Sequence, residues 1–415
     1  MDIHSVKLNK DICKGCTNCL KRCPTEAIRV HDGRAHILAE RCIDCGECIR
    51  VCPYRAKEAV TDSLSCIKDF EYKIALPAPA LYAQFNNLEN PEIVLGALKL
   101  MGFDDVFEVS AAAEIVSDAT RILLESGTLK KPVISSACPA VTRLIRVRFP
   151  ELIENLLPLN APVEVAARMA KDKAVEETGL PRESIKTVFI SPCPAKVTAA
   201  KFPLGTEKSD IDAVVAIKDI YPKLLHHMKN PDADNGELNS SGRIGIGWGS
   251  SGGEASATLK DNYLAADGIE NVMRVLEDLE DEKLHGLDFV ELNACSAGCV
   301  GGILNVENPY IAKVKLKKLR KYLPVSLNHT DEVTEQMKWD SEIEYQSILQ
   351  LDPDFSVAMQ KMALSQEIEK TLPGLDCGSC GCPTCKALAE DVVCGFNSLD
   401  SCIIKLREKY IKNED

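Results

Sequence analysis

The segment FVELNACSAGCVGG, residues 289–302, runs from an apolar stretch into a turn that carries two cysteines. Two shorter segments share this design, VISSACPA at residues 133–140 and VFISPCPAK at residues 188–196. Ligands of open α/β sheets collect at the carboxyl ends of the strands. We therefore predict that these segments bring four cysteines to one buried inorganic group, namely Cys138, Cys193, Cys295 and Cys299. The alternative is four buried cysteines that bind no metal, because cysteine is often a core residue.

The rest of the central chain alternates between short apolar runs and amphipathic stretches. Strands are predicted at residues 73–76, 132–134, 187–190, 243–248 and 288–292. Helices are predicted at residues 91–101, 115–125, 162–177 and 271–279. This alternation predicts an α/β body with parallel sheets and helices on their faces. The strand at 243–248 would run into a glycine-rich turn, residues 248–254, whose backbone lies against the cofactor.

Composition and charge narrow the class of protein. The 415 residues are 45% hydrophobic and 27% charged, which excludes a disordered, collagen-like or coiled-coil chain. The formal net charge of −13 argues against nucleic acid as a partner. The sequence has neither a membrane-length apolar run nor a signal-peptide core. The 19 cysteines are then expected in a reducing compartment, where clustered thiols bind metal, which predicts a soluble, cytoplasmic metalloprotein.

Eight cysteines near the start form an internal repeat. The spacing Cys-x2-Cys-x2-Cys-x3-Cys-Pro begins at residue 13 and again at residue 42. It resembles bacterial ferredoxins, in which the last cysteine of each run binds the cubane of the other run. We assign one 4Fe–4S cluster to Cys13, Cys16, Cys19 and Cys52, and the other to Cys42, Cys45, Cys48 and Cys23. Structural zinc, the alternative, would use two CxxC pairs and needs no following proline.

A second cysteine-rich segment lies near the other end, with six cysteines within residues 377–402. Three of them fall in one loop and a later one follows a predicted helix. This spacing resembles the small 4Fe–4S domain of corrinoid iron–sulfur proteins and electron-transport complexes. The ligands we assign are Cys377, Cys380, Cys385 and Cys402. Cys382 and Cys394 are left over, so ligand exchange and zinc stay open, and the isolated Cys66 is assigned no role.

Residues 1 to about 325 resemble the FeFe hydrogenases, since all three cysteine segments of the body match that family in order. The resemblance implies that Cys138, Cys193, Cys295 and Cys299 hold a cubane and that Cys299 bridges it to a diiron unit with CO and cyanide ligands. Lys196 matches the lysine that hydrogen-bonds a cyanide, an anionic partner that a buried ammonium requires. Residues 78–80, Ala-Pro-Ala, resemble the strand end that lines the family's pocket.

The departures from the family pattern indicate an unusual member. Ala137 stands where catalytic members have the cysteine that donates protons, and Leu157 replaces a serine of the proton relay. Two relay glutamates correspond to Asp118 and Arg121, so Asp118 alone keeps an acid. Two methionines of the diiron pocket correspond to Ser191 and Asn293. Because a positioned acid or base contributes about 10² to 10⁴-fold, we expect slow hydrogen turnover and a sensory-type member.

Four domains are predicted on this basis: a ferredoxin-like domain at 1–62, the hydrogenase body at 63–325, a helical linker at 326–368 and a C-terminal 4Fe–4S domain at 369–415. The expected partners are H2 and protons, a redox partner such as ferredoxin, and a separate signalling protein. One rival is an ordinary ferredoxin-linked catalytic hydrogenase. The other is a non-enzymatic iron–sulfur scaffold without the diiron unit, against which Lys196 weighs.

Overall fold

The structure is a computed structural model that describes residues 3–234, 236–348 and 351–412. The outermost residues of the predicted first and last domains, and two positions of the predicted linker, lie outside the described residues. The chain divides into two compact units. One comprises residues 1–5 and 60–344, which we call the body, and the other comprises residues 6–59 and 345–415, which we call the cluster unit.

The first part of the cluster unit consists of two antiparallel strand pairs. Strand β1 (Val6–Leu8) pairs with β4 (Lys57–Ala59), and β2 (Ile28–His31) pairs with β3 (Arg34–Ile37). The short helices α1 (Asn18–Lys21) and α2 (Glu47–Arg50) each carry the third cysteine of a run. The two halves therefore repeat one strand–helix design, as expected for the ferredoxin-like domain.

Two parallel sheets organise the body, and their strands end at the cysteine segments. The larger has the order β6-β5-β8-β9 and the smaller the order β10-β11-β7, with all neighbours parallel. The strands are β5 (Tyr72–Pro77), β6 (Asp105–Val106), β7 (Val133–Ile134), β8 (Ile185–Ser191), β9 (Ala213–Ala216), β10 (Tyr263–Asp267) and β11 (Phe289–Asn293). This confirms the predicted α/β class with parallel sheets.

Helices surround both sheets and bury the apolar core, which packs β5 and β8 against helices such as α4. The helices of the body are α3 (Pro79–Tyr82), α4 (Glu92–Leu100), α5 (Val109–Ser126), α6 (Pro139–Arg148), α7 (Pro162–Thr178), α8 (Pro194–Lys201), α9 (Ile217–His227), α10 (Arg243–Gly247), α11 (Gly253–Ala257), α12 (Ile269–Glu280) and α13 (Pro309–Arg320). All four helices predicted from periodicity are confirmed, with ends that differ by a few residues.

The strand predicted at residues 243–248 is wrong, because Arg243–Gly247 forms the helix α10. Alternating isoleucine and glycine imitates the period of a strand. A Cβ on Gly245 would lie 2.0 Å from the carbonyl oxygen of Ser110, so glycine is required for helix packing. The Glu114 carboxylate on α5 accepts hydrogen bonds from the backbone N–H groups of Gly242 and Gly245, which satisfies the start of α10. A distant side chain thus decides the local structure.

The helical linker predicted at 326–368 is largely wrong as secondary structure. Among its described residues before Phe355, the only helical element is the short 3-10 turn Glu335–Met337. Residues just after 326 form no helix, and the Glu114 carboxylate accepts hydrogen bonds from the backbone N–H groups of Leu327 and Asn328. Helix α14 (Phe355–Thr371) follows, and then α15 (Cys385–Val393) and α16 (Ile403–Lys412). Within the residues that the structure describes, every helix is too short or too polar to span a bilayer.

Candidate metal centre

The cysteines of the body stand directly at the junctions between strands and helices. Cys138 and Cys193 each occupy the position before a helix whose first residue is proline, in α6 and α8. Proline has no N–H to leave unpaired there, and its fixed φ suits a helix start. Cys299 opens a 3-10 turn soon after β11. The sequence therefore ends each strand abruptly and leaves a thiol at each end.

Lys196 shows that the four thiols lie together. Its Nζ is 3.6 Å from Sγ of Cys299, to which it donates a hydrogen bond. Burial would lower the pKa of Lys196, but the thiolates outweigh this effect and raise the pKa. The thiolates that act on this ammonium belong to Cys299, Cys193, Cys138 and Cys295. Four thiolates can serve as the ligands of a 4Fe–4S cluster. The ammonium can donate a hydrogen bond to an anionic group beside that cluster.

A cavity of about 590 Å³, partly open to solvent, adjoins Cys299 and Lys196. Its walls are mainly apolar and include Ala137, Asn293 and the predicted pocket residues Ala78 and Pro79. The cavity offers room for a small metal unit beside Cys299, the proposed bridging cysteine. Its apolar walls and the Lys196 ammonium suit a unit that is uncharged or anionic. Gly249 also lines the cavity, although a helix and not the predicted strand precedes this turn. Buried Ser191 is not among the cavity's lining residues and donates a hydrogen bond to the carbonyl oxygen of Cys193.

Asp118 is not among the residues that line this cavity. Its carboxylate pairs with Arg121 and accepts a hydrogen bond of 3.0 Å from the backbone N–H of Thr330. Nδ1 of His329 lies 3.4 Å from the same carboxylate. Asp118 is therefore held by Arg121 and by residues of the segment that follows residue 326. Leu157 is buried, 2% exposed, and offers no proton-carrying group.

Two buried carboxylates, which sequence reasoning missed as site residues, do line the cavity: Glu254 and Glu291. Oγ of Ser135 donates to Oε2 of Glu254 at 2.6 Å, while Oε1 has no hydrogen-bond partner among the described residues. Burial, reinforced by the negative charge of Glu291, raises the pKa of Glu254 to about 8. Burial also raises the pKa of Glu291, which accepts hydrogen bonds from Ala255 N–H and from Asn293. In the sequence, the signal for Glu291 was a charged residue within the otherwise apolar strand β11.

The ferredoxin-like repeat places Cys23 beside the second run. The pKa of Cys45 is raised first by burial and then by the charges of Cys23, Cys48 and Cys42. Cys23 therefore lies among the cysteines of the other run, as the assignment of ligands requires. On the opposite side, Lys57 donates a hydrogen bond from Nζ to Sγ of Cys19 at 3.2 Å. Sequence reasoning did not single out Lys57.

The C-terminal segment gathers thiols around one small apolar cluster that includes Cys380, Cys382, Cys385 and Cys402. A hydrogen bond from Cys382 lowers the pKa of Cys380 to about 6, while the pKa of Cys382 is raised. This favours Cys380 as a thiolate ligand and Cys382 as its donor. Cys394 instead contacts the carbonyl oxygen of Leu351 at 3.8 Å. In the body, burial raises the pKa of Cys66, which packs against the apolar core.

Within the cluster unit, this segment packs on the ferredoxin-like strands. The guanidinium of Arg29 pairs with the Asp391 carboxylate through two contacts, of 2.6 Å and 3.2 Å. The side chains are only 4% and 11% exposed. The N–H of Val30 donates to the carbonyl oxygen of Gly381 at 2.9 Å. A Cβ on Gly381 would lie 1.9 Å from the carbonyl oxygen of Val30, so only glycine permits this approach.

The fold and this site define an iron–sulfur protein whose body has a cysteine site for a metal centre beside a mainly apolar cavity that is partly open to solvent. The family model described as iron-only hydrogenase large subunit, C-terminal domain, matches residues 71–263 and 247–303, more than half of the chain. The chain therefore belongs to the iron-only (FeFe) hydrogenase family. A 4Fe-4S dicluster model matches residues 5–53, and a model of a putative Fe-S cluster matches residues 372–404.

Among curated proteins, the chain is 26% identical to iron hydrogenase 1 of Clostridium pasteurianum over 60% of its own length and 53% of that protein. It is 24% identical to NADP-reducing hydrogenase subunit HndD of Solidesulfovibrio fructosivorans over 63% of its length and 55% of that protein. The chain thus spans about half the length of these relatives.

Among solved structures, a variant of the FeFe-hydrogenase HydA1 from Chlamydomonas reinhardtii superposes with a TM-score of 0.50 at 17% identity. The superposition covers 67% of this chain and 95% of that one. At this level of identity the likeness establishes the fold.

Proposed function

We propose that this chain is a sensory-type hydrogenase that oxidises H2 and reduces protons slowly and reports hydrogen or redox state to a partner. The observation that carries the proposal is a family-like cavity, with Cys299 and Lys196 in place, whose wall has Ala137 at the position of the usual proton donor. The cubane would be held by the four strand-end cysteines. The diiron unit would supply the open iron site at which hydrogen reacts.

Slow turnover follows from how this chain handles protons. A methyl group at Ala137 cannot carry a proton, and buried Leu157 interrupts the relay further out. Asp118, which we expected to retain an acid in the path, is paired with Arg121 outside the cavity lining. Proton transfer requires groups within hydrogen-bond reach of one another. Among the described residues, the positions of the usual path therefore do not form a continuous chain of such groups.

Glu254 supports the rival function, an ordinary catalytic hydrogenase with a different proton path. Its unpartnered Oε1 belongs to a carboxyl group in the cavity wall. A pKa of about 8 lies near neutrality, where an acid both gives and takes protons efficiently. If Glu254 transfers protons efficiently to and from the diiron unit, turnover is fast and the chain functions as a catalytic hydrogenase.

Electrons would pass through the ferredoxin-like clusters to a redox partner such as ferredoxin. The C-terminal cluster domain packs on the ferredoxin-like strands through Arg29 and Asp391, so a change of charge at its cluster is felt at that interface. Through this interface, a change in the charge of the cluster would be transmitted to a signalling protein. Clustered free thiols of this number favour a reducing, anaerobic cytoplasm as the location.

The first test establishes which metal groups the chain holds. We expect anaerobic iron counting to give about sixteen irons for four cubanes and about two more after maturation. Infrared bands of CO and cyanide should then appear. Bands that never appear after maturation would support the scaffold alternative and refute hydrogen chemistry.

The second test compares hydrogen evolution by the matured parent with the variants Ala137→Cys and Glu254→Gln. If the missing donor limits turnover, Ala137→Cys raises the rate by about 10² or more. If Glu254 already provides an efficient path, Ala137→Cys has no effect and Glu254→Gln abolishes a fast parent rate. The first pattern supports the sensory proposal, and the second refutes it. Ser135→Ala serves as the control: it removes the hydrogen bonds that Ser135 Oγ makes with Glu254 and with the N–H of Ala137, and it keeps the carboxyl group.

A further inference from the structure

The two halves of the ferredoxin-like repeat differ in charge at positions that are equivalent in sequence. Ala27-Ile28 follows the first cysteine run at the place where Ala56-Lys57 follows the second. Between the first two cysteines of each run, Gly15 in the first corresponds to Asp44 in the second. In the second half of the repeat, a lysine therefore replaces an apolar residue of the first half, and an aspartate replaces a glycine.

Lys57 is buried, at 3% exposure, and its ammonium has a defined partner in the first cluster site. Its Nζ donates a hydrogen bond to Sγ of Cys19 at 3.2 Å. Its charge acts on Cys13 of the same cluster and also on Cys48 of the other, but Cys19 is the cysteine it contacts directly. Lysine is almost never fully buried unless it is paired. Ile28, its equivalent, is 2% exposed and packs in the apolar cluster that includes Cys48. The two equivalent positions thus differ in charge: Lys57 brings an ammonium to a ligand sulfur, and Ile28 is an uncharged part of the apolar cluster.

Asp44 supplies the opposite charge at the second cluster site. It is 1% exposed, and its Oδ1 lies 3.9 Å from Sγ of Cys42 and accepts a hydrogen bond of 3.0 Å from the N–H of Val6. Its charge acts on Cys42 and Cys48. The aspartate also has a left-handed φ of 52°, and its equivalent Gly15 has a φ of 63°. A glycine would therefore fit the backbone of position 44 without strain.

These contacts have opposite consequences for one-electron reduction, which adds a negative charge to a cluster. An ammonium hydrogen-bonded to a ligand sulfur stabilises the reduced form, while a buried carboxylate beside the ligands destabilises it. We propose that Lys57 and Asp44 separate the reduction potentials of the two clusters, so that the electron settles on the cluster of Cys13, Cys16, Cys19 and Cys52. The proposal rests on the ligand assignment made above and not on hydrogen turnover.

The test uses the full chain reconstituted with iron and sulfide and given no diiron unit. Reductive titration with dithionite, followed by electron paramagnetic resonance, yields one midpoint potential for each cluster. Replacing Cys16 by serine identifies which signal belongs to the first cluster. The same experiment on Lys57→Ile and Asp44→Gly uses the residues that the repeat itself places at the equivalent positions.

We expect Lys57→Ile to shift the equilibrium of the first cluster at least tenfold toward the oxidised form, a fall of about 59 mV for one electron. Lys57→Arg, which keeps the charge, should stay near the parent, and Asp44→Gly should raise the potential of the second cluster. Unchanged potentials in Lys57→Ile, or a fall confined to the second cluster, overturn the proposal. If Lys57→Ile fails to retain iron, Asp44→Gly decides the matter, because an unmoved second cluster also overturns it.

Discussion

Replacing Arg29 by methionine tests whether the C-terminal cluster domain is held on the ferredoxin-like strands by a buried ion pair. Arg29 makes two contacts with Asp391, and Nη1 also donates to the carbonyl oxygen of Glu26 at 2.9 Å. Methionine keeps most of the side-chain volume and removes the charge. The Asp391 carboxylate then stays at 11% exposure without its guanidinium.

The expected cost follows from this burial. Removing one partner of a buried ion pair destabilises by about 3–5 kcal/mol, because an uncompensated charge remains. Since about 1.4 kcal/mol corresponds to a factor of ten, the separated state should become about 100 to 3000 times more populated. The neighbouring pair of Arg41 and Glu390 is a matched control: its single contact is 3.7 Å long, with side chains 12% and 10% exposed. Because that pair is joined by one contact too long for a hydrogen bond, we expect Arg41→Met to cost less than Arg29→Met, about 1 kcal/mol.

Amide hydrogen exchange measures the separation directly. The N–H of Val30 donates to the carbonyl oxygen of Gly381, so it is protected only while the two parts are in contact. Exchange at the N–H of Val30 in the reconstituted protein should accelerate by the factor given above in Arg29→Met and by about fivefold in Arg41→Met. The double variant with Asp391→Leu should recover part of the loss. Equal acceleration in the two single variants, or none in Arg29→Met, would refute this account of the interface.

The remaining predictions concern pH and the unassigned cysteines. The pKa of Glu254 rises from its ordinary 4.5 to about 8 on folding, so the folded body binds the proton more tightly than the unfolded chain. Its stability should therefore fall as pH rises through this window, and thermal unfolding of Glu254→Gln should lack that part of the pH dependence. Cys394→Ala should leave the iron content unchanged. Cys382→Ala should also retain all iron while changing the C-terminal cluster's resonance spectrum, because Cys382 is assigned as a donor to a ligand; loss of about four irons would identify it as a ligand instead.

Apolar runs next to cysteine and proline allowed the metal centre to be located from sequence. The strands that end before Cys138, Cys193 and Cys295 are short and mainly apolar, and such strands occur in buried parallel sheets. Helix α10 was not predictable in the same way. Its isoleucines and glycines imitate a strand, and the carboxylate that satisfies its first N–H groups comes from Glu114, far away in sequence.

Buried charges were the main features that pattern reasoning missed. A sequence pattern assigns charged residues to the surface by default. Three charged residues are nevertheless buried: Lys57, Glu254 and Glu291. Two signals were present in the sequence: the internal repeat pairs Ile28 with Lys57, and Glu291 interrupts an otherwise apolar strand. The expected role of Asp118 depended on its distance from the cavity, and spacing along the chain does not report that distance.

The Arg29 interface also has to respond to the redox state of the C-terminal cluster. Oδ2 of Asp391 lies 3.2 Å from Sγ of Cys382, which adjoins the proposed ligand Cys380, and 2.6 Å from Nε of Arg29. The guanidinium offsets the negative charge that reduction adds, and without it Asp391 would oppose reduction alone. Arg29→Met should therefore lower the potential of this cluster. Because such coupling is reciprocal, reduction must in turn strengthen the contact, and exchange at Val30 should be slower in the reduced parent than in the oxidised parent. Equal rates in the two states would show that the interface does not sense the charge of the cluster.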